Sequence, residues 1–120
     1  MTRTVLSLEG LEAREVPAVT IQIDYSFDAN GFFNDPTRRA ILQQAADDIA
    51  AHLDNTLPAL IPGGGNSWSA RFFNPATGGE VSVPNLTVAA NTIVLFAGGH
   101  DLNGAEAGVG GYGGYSASGN

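Results

Sequence analysis

The chain has 120 residues, enough for one domain, with 43% hydrophobic and 14% charged residues, a net charge of −7 and no cysteine. Its five cations are all arginines, and only Arg38 and Arg39 are adjacent, which excludes nucleic-acid binding that relies on clustered Lys and Arg. The lack of cysteine excludes disulfides, thiolate zinc sites and a cysteine nucleophile, and no stretch approaches the roughly 18 apolar residues of a membrane span.

Residues 1–18 lack the charged start and apolar core of a secretory signal peptide. By pattern alone, residues 6–15 read as a short amphipathic helix stopped by Pro17. Residues 19–27 alternate, with Val19, Ile21, Ile23 and Tyr25 on one side and Thr20, Gln22, Asp24 and Ser26 on the other, which predicts a half-buried strand. Asp28-Ala29-Asn30-Gly31 supplies turn residues. Asp35-Pro36 then offers an N-cap with proline at the first helical position.

A long helix is predicted over residues 36–57. Ile41/Leu42, Ala45/Ala46, Ile49, Leu53 and Leu57 form its apolar stripe, and Pro58 stops it. Pro62-Gly63-Gly64-Gly65-Asn66 is a loop. Residues 67–73 and 80–83 read as a hairpin across the turn at 74–79. The continuous apolar run Thr92-Ile93-Val94-Leu95-Phe96-Ala97 predicts a strand covered on both faces.

Nine of the 16 glycines fall between positions 98 and 119. Their ordering entropy predicts an irregular tail over 98–120. The expected class is therefore α+β, a small twisted mixed sheet backed by one long helix. Its expected organisation is an N-terminal segment at 1–18, a partial domain at 19–97 and the glycine-rich tail. A sheet with one face uncovered, followed by such a tail, reads as an interrupted domain.

Candidate chemistry is sparse. A three-histidine catalytic zinc site needs more than His52 and His100, the two histidines present. His52, four residues after Asp48 on the predicted helix, reads as a surface ion pair. His100-Asp101 follows the apolar strand, a place where function often resides, but two ligands do not close a site. Asp28, Asn30 and Asp35 suggest calcium. With Gly31 at the sixth position of a calcium loop, however, Ser26 and Thr37 stand where the two essential carboxylates belong.

Two further patterns fail on chemistry. Gly108-Val109-Gly110-Gly111-Tyr112-Gly113-Gly114 lacks the Lys-Ser/Thr end of a phosphate loop. A triad of Ser116 or Ser118 with His100 and Asp101 has no supporting spacing. No catalytic, cofactor-binding or metal-ligating residue is assigned, and no cofactor is expected in this chain.

Two resemblances add to this reading. Leu11-Glu12-Ala13-Arg14-Glu15-Val16-Pro17-Ala18 resembles the LExRxVPA segment near the start of many large exported or surface proteins of planctomycete bacteria. That resemblance implies an exported, extracellular or cell-surface protein. From residue 23 to residue 119 the chain resembles the opening of a bacterial matrixin-like metalloprotease family. The carrying segments are Asp24-Tyr25-Ser26-Phe27, Gly31-Phe32-Phe33-Asn34-Asp35-Pro36, Gly64-Gly65-Asn66-Ser67-Trp68, Ala90-Asn91-Thr92-Ile93-Val94-Leu95-Phe96-Ala97-Gly98-Gly99 and Gly113-Gly114-Tyr115-Ser116-Ala117-Ser118-Gly119.

The matrixin-like resemblance implies a zincin-type half-domain, a twisted sheet backed by one helix and awaiting an HExxH helix that this sequence does not contain. It implies zinc, with calcium as a second metal, for a full-length parent acting on protein substrates, with the downstream remainder of the domain as the first partner. His100-Asp101 lacks the spacer of the matrixin structural metal loop, so no metal site transfers. Two functional expectations stand. One is the non-catalytic scaffold half of a truncated exported zinc-metalloprotease-like protein. The other is a non-enzymatic surface or adhesion module.

Overall fold

The computed structural model describes residues 18–119. The short helix predicted over residues 6–15 lies outside them. Val19, only 1% exposed, leads into β1 (Thr20–Asp24). A 3-10 turn at Phe32–Asn34 precedes helix α1 (Pro36–Ala50). The strands β2 (Ser67–Phe73), β3 (Glu80–Pro84), β4 (Thr92–Phe96) and β5 (Gly114–Ser118) follow. The class is α+β, with one long helix and strands of mixed sense. These strands form two small sheets, a parallel pair β1-β4 and an antiparallel triplet ordered β3-β2-β5.

Helix α1 starts as the sequence requires. The Asp35 carboxylate accepts a hydrogen bond from the Thr37 amide at 2.8 Å, and Pro36 needs no partner for an N–H it lacks. The helix ends at Ala50 and does not reach the predicted residue 57. His52 N–H donates to the Ile49 carbonyl and Leu53 N–H to that of Ala50, each at 3.0 Å, a three-residue tightening common at helix ends. Asp54, Asn55 and Thr56 favour non-helical backbone. Leu57 is then held by Asn91, whose side chain accepts the Leu57 N–H at 2.9 Å and whose backbone N–H donates to the Leu57 carbonyl at 2.9 Å.

The apolar stripe of α1 is only partly used. Ala46 and Ala50 are its buried residues, and the helix packs against β1 and the 3-10 turn. Ile41 and Ile49 remain 66% and 58% exposed, where the sequence pattern placed them toward a core. The small side chains Ala46 and Ala50 are the buried ones, Leu42 is half-buried, and Ile41 and Ile49 flank the contact without cover.

The β2–β3 hairpin forms as predicted, with Phe73 opposite Glu80 and Ser69 opposite Pro84. Its turn is fixed by the Asn74 carboxamide accepting the Ala76 N–H at 2.8 Å and by Gly78 at φ 80°, a left-handed position that suits glycine. β4 departs from expectation. It pairs with β1 alone, in register Ile21 to Ile93 and Ile23 to Leu95. Val94 and Phe96 are half-buried, while Ile93 and Leu95 are 40% and 39% exposed. The apolar run therefore belongs to a strand covered mainly on one face.

The tail expected to be irregular is not irregular throughout. Residues 114–118 form β5, which pairs antiparallel with β2, Tyr115 opposite Ala70 and Ala117 opposite Trp68. The free edge of β2 supplies the backbone partners that glycine-rich sequence cannot supply for itself. Gly113 permits the approach, since a Cβ there would sit 2.5 Å from the Arg71 carbonyl oxygen.

The two sheets meet through aromatic rings. Phe72 stacks on Phe96 with centroids 4.2 Å apart, and Phe27 lies edge-on to both at 5.3 and 5.7 Å. Strand register puts Trp68, Ala70, Phe72, Val81, Val83, Tyr115 and Ala117 on this inner face of the antiparallel sheet. None of these residues is buried, and Tyr115 is 75% exposed. Among the described residues the buried hydrophobics are Val19, Ala46, Ala50, Ala76 and Val88, all small.

Candidate functional site

Parallel pairing puts the carboxyl ends of β1 and β4 side by side. In open α/β sheets, ligand sites tend to form outside such ends. Here that position is occupied by a knot of three loops: the turn after β1, the segment after β4 and the β2–β3 turn. Their polar groups are directed at one another.

Asp28 is the centre of the knot. Its Oδ1 accepts from the Phe32 N–H at 3.2 Å and the Gly99 N–H at 3.1 Å, and its Oδ2 accepts from the Phe33 N–H at 2.7 Å. Desolvation pushes the carboxyl up, but the amides of Phe33, Gly99 and Phe32 and the Arg39 charge outweigh it and hold Asp28 below its ordinary value. Asn30 completes the junction by donating from Nδ2 to the carbonyls of Gly99 at 2.8 Å and Ala76 at 3.1 Å. Close packing leaves no room for a side chain at Gly99 and little at Gly98. A Cβ on Gly99 would meet Phe32 at 2.5 Å, and one on Gly98 would press on Pro75 and the Asp28 backbone at 3.1 to 3.2 Å.

His100 joins the same junction. Its Nδ1 lies 2.9 Å from the Pro75 carbonyl. A carbonyl only accepts, so Nδ1 carries the proton in this contact. The ring thus bonds the hairpin turn and not Asp101. Among the described residues, no three His, Asp or Glu side chains gather closely enough to hold a metal ion.

The residues weighed for calcium have structural tasks. Asp28 is engaged by three amides, Asn30 bridges two loops, and Asp35 caps α1. His52 lies past the end of α1, and its Nδ1 is 2.8 Å from the Asp48 backbone carbonyl. The ion pair read from the sequence is replaced by this contact, and the Asp48 carboxylate accepts from Gln44 at 2.9 Å.

Ser116 and Ser118 lie on β5 opposite Ser69 and Ser67, near the start of β2, whereas His100 is tied to the turn after the end of β2. Six residues separate Ser69 from Pro75, roughly 20 Å of extended chain, so serine and histidine are not brought together. Gly108 and Gly110 have nothing within 4 Å of an added Cβ, and among the described residues no helix follows them to cradle a phosphate.

The Asp28 junction is what sequence reasoning missed. Asp-x-Asn-Gly announces a turn, and the half of the network within residues 28–33 follows from it. The link to Gly99 spans 71 positions and has no local signal. No family model, curated protein or solved structure matches this chain.

Proposed function

We propose that these residues are the non-catalytic scaffold half of an exported, matrixin-like zincin, whose remaining half carries the zinc helix and any protein-cleaving activity. The observation that supports the reading is the unfinished core. Among the described residues, the inner face of the antiparallel sheet holds no buried side chain, Ile41 and Ile49 of α1 are exposed, and the largest fully buried side chain is Val19. Sheets and helices form stable domains by burying an apolar face against another layer, and among the described residues no further layer covers these faces. The strand–helix–strand unit β1-α1-β4, with an aromatic seam to a second sheet, is suited to receive one. The resemblance of the sequence segments to the matrixin-like family supports reading that layer as an HExxH helix that binds zinc.

In this reading the Asp28 junction has a mechanical role. It ties the carboxyl ends of β1 and β4 to the hairpin turn and so sets the frame against which the missing layer packs. The described residues supply position, and the chemistry belongs to the parent protein. The test is the coding sequence beyond the codon for Asn120. An open frame running into HExxH is the expected result. A stop codon there, or repeats without zinc ligands, overturns the zincin reading and leaves the surface-module alternative.

A further inference from the structure

We draw no further inference here: the strongest candidate, the open depression of about 310 Å³ at the β2–β5 end of the antiparallel sheet, where Arg71 and Glu80 pair beside exposed Phe73, Tyr112 and Tyr115, is an exposed patch for which nothing in the structure shows what covers it.

Discussion

At Asp28 one carboxylate serves three amides, two in its own turn and one in the distant segment after β4, so its removal should be felt in both places. Replacing Asp28 with Ala leaves these N–H groups to partly accessible solvent, at a cost of about 1–2 kcal/mol, or roughly tenfold in local opening. Hydrogen exchange of the Phe33 and Gly99 amides should accelerate together by that factor. Acceleration at Phe33 alone would show that the link to Gly99 carries nothing. The pH dependence has a fixed sign. A carboxyl depressed in the folded state contributes stability above its unfolded value and loses it as pH falls through the folded one. The amide proton shifts of Phe33 and Gly99 should therefore titrate together with a midpoint below 3.8; a midpoint at or above that value contradicts the network.

Gly99 offers an independent residue-scale test. Gly99→Ala forces a methyl against Phe32 and should destabilise the junction by about 1–3 kcal/mol. Gly108→Ala, in open space, should be neutral or slightly stabilising by reducing unfolded-chain entropy. Equal effects of the two substitutions on Phe33 amide exchange would remove the close-packing argument.

Among elements, α1 shows where sequence reading succeeds and where it stops. Asp35-Pro36 fixed the start correctly because capping is local chemistry. The end was misplaced because the Leu57–Asn91 pairing spans 34 positions, and a periodic stripe cannot show what the tertiary fold will cover. The β2–β3 hairpin was legible for the same local reason, through Asn74 and Gly78. β5 was not, because its order is lent by β2. Asp35→Ala should reduce helicity in the first turn by about 1 kcal/mol, read as faster exchange at Arg39, whose N–H bonds the Asp35 carbonyl. Ile49→Gln should change α1 stability by less than about 0.5 kcal/mol, as expected for an exposed position. A larger loss, measured by far-ultraviolet circular dichroism, would mean that Ile49 is already covered in the isolated chain.

At the scale of the whole molecule, little is buried among the described residues. The sequence carries enough apolar residues for a core, and α+β composition with a long helix was readable from periodicity. Which faces stay open was not, since β4 reads as a doubly covered strand but has one strand neighbour and exposed Ile93 and Leu95. The candidate site was less legible still: its histidines and carboxylates were visible as residue types, and their engagement in loop contacts follows only from the fold. Small domains are marginal even when their core is closed. One that leaves the inner face of a sheet half-exposed should lack a cooperative native state by itself.

Differential scanning calorimetry of the 120-residue chain tests this most directly. A broad, weak transition without a cooperative heat-absorption peak is expected. A single sharp peak, with calorimetric and van't Hoff enthalpies agreeing near roughly 85 kcal/mol, the value for a complete domain of this size, would contradict it.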